Sequence, residues 1–509
     1  MTSTVSPTGT DPSRRDPVSD TGSDTRTSPK GLVRRIAEEE HILVVLLAGF
    51  GLIFLLIFPP ALLVNDSWLT LMAGREVVEN GLPSRDEITV YGMGARWTDQ
   101  QWLGQVFMYG LYSLGGFALL SIATAVFVVG AFSIAAAAAR SLGAGPRAIW
   151  VMFLPVLVAA PWAWSIRAQM LALPLYTGLL WLLATEARKP TRRIWLALPL
   201  LVVWANVHGS VALGALLVTL LAAFQLIRSR GTTWPRDVAL LVLAPLAILA
   251  TPYGPAETAR YYHLLLVDPP FAGRVTEWEW AAPALHTVAF YVLAAIAAVL
   301  IWRGRHRVAL FDIAVLVVTF AGGVNAIRGI VWFALACMVF VPVAIGRGLE
   351  SKNPGAPRSR LNIAVATALT AGLVLVAVSL FARDETYFEE YWPREAVEAV
   401  RSELDQEDHV FASDRFSDWL LFRIPELRGR VAYDVRFELY DDAFYDRLQN
   451  YNFEEDADWK SFADGYRIVI VDERRRSHTA DFLAERGARV LYRDDEITVI
   501  ARPNPTPSS

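Results

Sequence analysis

The chain has 509 residues, 54 % of them hydrophobic and 19 % charged, with a mean hydropathy of +0.34. That is too apolar for an ordinary soluble protein and long enough for a membrane domain plus one soluble domain. The net charge of −4 hides a partition: 17 Lys and Arg stand against 30 Asp and Glu after residue 383, and neither the acidic end nor the remainder reads as a nucleic-acid binder.

Residues 1–30 are rich in Ser, Thr, Asp, Pro and Gly, a composition that buries too little surface to offset ordering entropy, so residues 1–35 read as a disordered cytoplasmic tail. The first apolar run, from His41 to about Val64, follows Lys30, Arg34 and Arg35 and lies too far into the chain for a cleaved signal peptide. Further runs fall near 115–139, 148–164, 168–185, 193–208, 210–227, 237–251, 286–302, 309–323, 328–346 and 361–382. The sequence thus predicts a polytopic α-helical membrane domain over 36–383, with about eleven spans of a bilayer roughly 30 Å thick. The only cysteine, Cys337, lies inside one run and reads as a small buried hydrophobe; no intramolecular disulfide can form.

Alternate turns are basic: Arg140 and Arg147; Arg188, Lys189, Arg192 and Arg193; Arg228, Arg230 and Arg236; Arg303, Arg305 and Arg307; Arg347, Lys352, Arg358 and Arg360. By the positive-inside rule these turns and the N-terminus are cytoplasmic. The loop 65–114, the turns near Arg167, His208 and Arg328, the loop 252–285 and the segment 384–509 then face outward from a multi-pass protein of the cell membrane. The 384–509 segment reads as a small α/β domain, with strands at Val410–Ala412, Arg430–Tyr433, Arg467–Val471, Arg489–Tyr492 and Ile497–Ala501, helices at 438–450 and 477–486, and a hairpin turn at Asp494-Asp495.

The outer loop opens with an amphipathic helix over Ser67–Asn80, stopped by Gly81 and Pro83, and closes with a second amphipathic segment over Asp99–Tyr112. Its tryptophans suit the headgroup layer. Asp66 stands where the first span leaves the membrane, a costly position for a carboxylate unless it serves as a base, a metal ligand, an ion-pair partner or a helix cap. Asp86 follows a Pro-Ser-Arg turn and could equally form a local ion pair. His208 follows Asn206 at a span end, where a base, a phosphate donor and an interhelical hydrogen bond are all reasonable. Arg167 and Arg328 oppose the positive-inside trend, which either a lipid phosphate or snorkelling to headgroups would explain. Glu277 beside Trp278 could bind a sugar hydroxyl, although an interfacial aromatic belt explains the tryptophan as well.

An apolar first span, Asp66, Trp68, Gly74-Arg75 and Asn80-Gly-Leu-Pro-Ser-Arg-Asp86 before a Trp-rich second helix resemble the first loop of GT-C integral-membrane glycosyltransferases. Trp204-Ala-Asn-Val-His208-Gly, Thr251-Pro-Tyr-Gly254, Thr276-Glu-Trp278 and the Arg328 turn extend the resemblance, and it looks like a bacterial branch with a small outer C-terminal domain. The resemblance implies a mannosyltransferase-like enzyme moving a hexose or pentose from a polyprenyl-phosphate donor to a glycan, lipid or protein acceptor on the outer face. Its implied catalytic residues are Asp66, Asp86 and His208. Arg167 and Arg328 would bind the donor phosphate, and Trp68, Trp102, Asn206, Tyr253, Glu277 and Trp278 would line the substrate site. A divalent metal stays open, because Asp66-Ser67-Trp68 replaces the adjacent carboxylate pair of the family's pattern. Two other readings remain: a non-catalytic scaffold or sugar and lipid-carrier binding protein, and a lipid-carrier transporter.

Overall fold

A computed structural model describes residues 41–228, 233–267, 269, 271, 272, 274–349, 359–475 and 478–503. The expected disordered tail over 1–35 and the turn residues Arg230, Lys352 and Arg358 lie outside them. Each of the eleven apolar runs is helical. Five helices have the length and apolarity to cross a membrane: Trp102–Ser141, Gln169–Arg188, Val211–Arg228, Ile327–Ile345 and Arg360–Leu380. Four shorter apolar ones accompany them, His41–Ile57, Pro146–Ala159, Val288–Gly304 and Leu310–Asn325. The chain is therefore a multi-pass membrane protein.

Helix α1, Ile330–Ile345, is the axis of the body: every residue from Ile330 to Ala344 is buried, Cys337 among them. A helix apolar all round has no solvent face to offer and belongs at the centre. The basic turns meet at one end of the bundle. There Arg188 pairs with Asp312, Arg236 pairs with Asp237 and lies near Glu186, and Arg307 donates to the carbonyls of Ala344 and Ile345 that end α1. Charge is thus gathered and neutralised at helix ends, where a chain in a bilayer can hold it at least cost.

The opposite end carries the 65–114 loop. Helix α2, Asn65–Asn80, ends at Gly81, whose φ of +86° favours glycine. The expected second amphipathic segment is the first part of a longer helix, α3, Trp102–Ser141. This helix bends where Gly115 and Gly116 (φ +61°) leave helical geometry and then runs on into the bundle.

The C-terminal segment forms a four-stranded sheet of β1 Val410–Ala412, β2 Ile468–Asp472, β3 Arg489–Arg493 and β4 Ile497–Ala501, in the order β1-β2-β4-β3. β1 and β2 are parallel, whereas β4 pairs antiparallel with β2 and β3. Asp494 makes the hairpin turn, its Oδ1 accepting the amides of Glu496 and Ile497. The strand expected at Arg430–Tyr433 is reduced to two isolated bridges at Val431, one to Val410 and one to Thr89 of the outer loop. Val90 N–H donates to Val431 O at 2.8 Å, Tyr91 N–H to Ala432 O at 3.0 Å and Gly429 N–H to Ile88 O at 2.8 Å. The loop thereby adds its own backbone to the edge of the C-terminal sheet.

Candidate functional site

Backbone pairing brings the key residues together. Ile166 N–H donates to Leu62 O at 2.9 Å, and Ser67 Oγ donates to Ile166 O at 2.5 Å while accepting the Val64 amide at 2.9 Å. The start of α2 is thus tied to the turn carrying Arg167. Arg167 Nη1 lies 3.1 Å from Asp66 Oδ2 and 3.0 Å from Glu277 Oε1, and its Nε donates to Ser165 Oγ at 2.8 Å. Ile327 N–H donates to Glu279 O at 3.2 Å, which joins the Glu277 loop to the Arg328 turn. Arg328 stacks on Trp278, its Cζ 4.2 Å from the ring centre, and no carboxylate pairs with it among the described residues. These elements wall a cavity of about 880 Å³.

The charges are unequally held. Burial pushes the Asp66 carboxyl above its ordinary value; Arg167 opposes this, while Glu277 and Asp414 add to it. Glu277 goes the other way: burial works against its charge, but Arg167, Arg328 and the hydrogen bond from Arg167 together outweigh it. One guanidinium therefore stabilises Glu277 as the anion and leaves Asp66 the more basic of the pair. The Asp66 side chain is 35 % exposed, so a group in the cavity can reach it.

His208 is 5 % exposed, and burial together with Arg328 and Arg167 lowers its pKa to about 3. It is neutral at ordinary pH. The Ser210 amide donates to its Nδ1 at 3.1 Å, which places the ring proton on Nε2. Of the roles open to it from sequence, this geometry suits a neutral hydrogen-bond donor.

The C-terminal unit supplies the facing wall with Asp414, Asp472 and Arg475. Arg475 grips Asp414 with both terminal nitrogens, at 2.7 and 3.1 Å. Asp414 follows the end of β1, Asp472 is the last residue of β2 and Arg475 comes just after it. The parallel pair therefore aims its carboxyl ends at the cavity, the edge where open α/β sheets bind ligands. Sequence reasoning named none of the three as a site residue although that rule marks them. Part of the wall is apolar, with Leu69, Leu213, Leu265 and Trp332.

Several expected site residues lie apart from the cavity lining. Asp86 is fully buried; its Oδ1 lies 2.8 Å from Arg436 Nη2 and its Oδ2 accepts the Thr89 hydroxyl at 2.6 Å. It is the ion-pair partner that fixes the loop, since all its lone pairs point at protein donors. Trp68 is fully buried against Phe117 and Trp392, so it is core. Trp102 Nε1 donates to Asn206 Oδ1 at 2.9 Å, and Asn206 in turn donates to Val202 O and Ala250 O, a brace between helix ends. Tyr253 also lies outside the lining. Asp66, Arg167, His208, Glu277, Trp278 and Arg328 do meet.

Asp66 and Glu277 are the pair a divalent ion would need, but Arg167 stands between them. Its Nη1 bridges the two carboxylates at 3.1 and 3.0 Å, so an ion could bind them together only by displacing it. The residues present do not fit a metal there.

No protein-family model matches the sequence, and no curated protein matches it either. Solved structures do. ArnT from Cupriavidus metallidurans bound to undecaprenyl phosphate superposes with a TM-score of 0.50 at 15 % identity, over 90 % of this chain and 97 % of that one. The Archaeoglobus fulgidus oligosaccharyltransferase tethered to an acceptor peptide gives 0.53 at 11 % identity, over 87 % and 70 %. The arabinofuranosyltransferase AftD from Mycobacteria gives 0.50 at 14 %, over 91 % of this chain and 40 % of that one. The chain has the GT-C fold. At such low identity the GT-C likeness is one of architecture, and function must be argued from the cavity.

Proposed function

We propose that the protein is a glycosyltransferase that takes a sugar from a polyprenyl-phosphate donor and gives it to an acceptor hydroxyl of a glycan, lipid or protein. The observation that carries this is Arg328, a cation with no carboxylate partner among the described residues, lying over the Trp278 ring in the cavity that Asp66 also lines. In this reading the cavity opens on the outer face of the cell membrane, with a cytoplasmic N-terminus and about eleven spans, which the alternating basic turns support.

In this reading the lipid tail follows the apolar wall and the donor phosphate sits at Arg328, whose planar fork suits two phosphate oxygens. Arg167 and the neutral His208 line the same cavity and would help to hold that charge. The acceptor oxygen attacks the anomeric carbon, its proton passes to Asp66, and the bond to the phosphate oxygen breaks with its electrons going to the phosphate. Arg167 orients Asp66 and Glu277. A transporter is less well supported, because ionisable residues collect at helix ends.

The test is release of polyprenyl phosphate by purified protein given polyprenyl-phosphate hexoses and pentoses with candidate acceptors. Release that depends on Asp66 supports transfer; binding without release supports the scaffold reading.

A further inference from the structure

Helix α4, Asp442–Phe453, is capped by Asp441, whose Oδ1 accepts the Phe444 amide at 2.9 Å. Tyr445, Leu448, Gln449 and Asn452 all line the cavity, and offsets of three, four and seven residues put them on one stripe of the helix. Arg274 of the 252–285 loop holds that stripe in place. It pairs with Asp442 at 2.9 Å, reaches Asp446 at 3.7 Å and lies with its Cζ 5.1 Å from the centre of the Tyr445 ring.

The polar side chains of this wall are available to a ligand. Gln449 and Asn452 are partly exposed, and neither side chain has a hydrogen-bond partner among the described residues. Glu438, partly exposed on the same lining just before α4, has no cation within ion-pair distance among them. Burial pushes its carboxyl above the ordinary value against the pull of Arg436 and Arg328, so Glu438 is within electrostatic reach of the proposed phosphate position.

Two amides and a carboxylate decide what the wall can hold. An amide offers one acceptor oxygen and two N–H donors, a carboxylate only accepts, and neighbouring sugar hydroxyls both donate and accept, so they can meet all three. An acyl chain would cover these groups and leave them unpaired, at a cost. A peptide read through its main chain would need a strand edge, and this wall is a helix and a turn. The wall belongs to the C-terminal unit, whereas the apolar side that suits the donor lipid, with Leu69, Leu213 and Trp332, belongs to the membrane body. We propose that α4 and Glu438 form the acceptor subsite and that the acceptor is a neutral saccharide, its hydroxyls meeting Gln449, Asn452 and Glu438. The acceptor role rests on the glycosyltransferase reading above; the saccharide chemistry rests on these side chains alone.

The experiment measures binding of a panel of neutral hexose and pentose oligosaccharides, and of decaprenyl phosphate, to full-length protein in nanodiscs. Wild type is compared with the double variant Gln449→Met, Asn452→Leu, which removes both amides at similar volume, and with the isosteric Glu438→Gln. Wild type is expected to bind at least one oligosaccharide. Glu438→Gln should lose about tenfold for it, the worth of about one hydrogen bond, and the double variant at least that, while both keep decaprenyl phosphate within about twofold of wild type. No oligosaccharide bound by wild type, unchanged affinity in both variants, or an equal loss of decaprenyl phosphate overturns the subsite. So does transfer to a lipid or peptide acceptor whose KM neither variant alters. Weaker binding of a decaprenyl-phosphate sugar with the acceptor KM unchanged also overturns it, because the wall would then hold the donor. Oligosaccharide binding that depends on Gln449 and Asn452, without release of decaprenyl phosphate from any sugar-linked donor, would bring down the glycosyltransferase reading and the acceptor role, while the saccharide surface stands.

Discussion

Arg167 Nη1 lies 3.1 Å from Asp66 Oδ2, and the same nitrogen reaches Glu277 at 3.0 Å. The proposed base is thus tuned by a cation it shares. Burial raises the pKa of Asp66, Arg167 lowers it, and the net position is above the ordinary carboxylate value. A base must be ionised to work, so kcat/KM falls as pH drops through that raised pKa. Arg167→Gln removes a lowering influence and should move this acid limb to higher pH. A limb that stays in place in the pH profile would assign it to another group. Dialysis against EDTA should leave turnover unchanged, because Arg167 already bridges Asp66 and Glu277.

Asp66→Asn should lower turnover by about 10²- to 10⁴-fold, the usual share of a general base. The fold should survive. The first turn of α2 is closed by Ser67, whose Oγ accepts the Val64 amide, so Asp66 is no cap and its loss frays nothing. Circular dichroism and melting of the purified variant check the second half; a collapsed variant would make Asp66 structural.

Arg328→Lys keeps the charge but loses the planar fork and the stack on Trp278. Binding of polyprenyl phosphate should weaken by about 1.5 to 3 kcal/mol, roughly 10- to 100-fold in Kd. Titration with the unsubstituted lipid phosphate measures it. Equal affinity in wild type and variant would leave Arg328 as a headgroup anchor.

Arg436 is 2 % exposed and joins two segments: it pairs with Asp86 at 2.8 Å and Asp434 at 2.6 Å and stacks 4.1 Å from the centre of the Trp97 ring. Arg436→Ala strands two buried carboxylates and should cost about 3 to 5 kcal/mol. Thermal unfolding in detergent and protease nicking of the 65–114 loop report it. Asp86→Asn should also destabilise, without a selective effect on the chemical step.

On a Cys337→Ala background, Lys189→Cys should resist a membrane-impermeant thiol reagent in intact cells, whereas Glu79→Cys, on the outer loop, should react. The reverse pattern would invert the proposed orientation.

The membrane body was readable because apolar run length is a one-dimensional signal. The runs around Gln169–Arg188 and Val211–Arg228 are found where composition put them, and β1 and β4 carry their expected bounds. Pairing between distant residues was not readable. Asp66 and Asp86 look alike along the sequence, both acidic and both in one loop, yet one lines the cavity and the other is locked by Arg436. Only the fold decides which carboxylate meets a cation that lies far along the chain. Arg167 and Glu277 were each singled out as ligand groups, but their direct contact depends on two turns 110 residues apart.

The strand that the outer loop lends to the C-terminal sheet has a consequence for biosynthesis. Ile88 to Tyr91 leave the ribosome early, and the edge they join is made much later; Glu87 and Arg428, which meet at 2.8 Å, are separated by 341 residues. Until that edge appears the amides of Val90 and Tyr91 lack the carbonyls of Val431 and Ala432, and the part of the cavity wall that carries Asp414, Asp472 and Arg475 does not exist. A nascent chain with every helix inserted therefore still lacks the complete cavity, which closes only when the segment after residue 383 has been made.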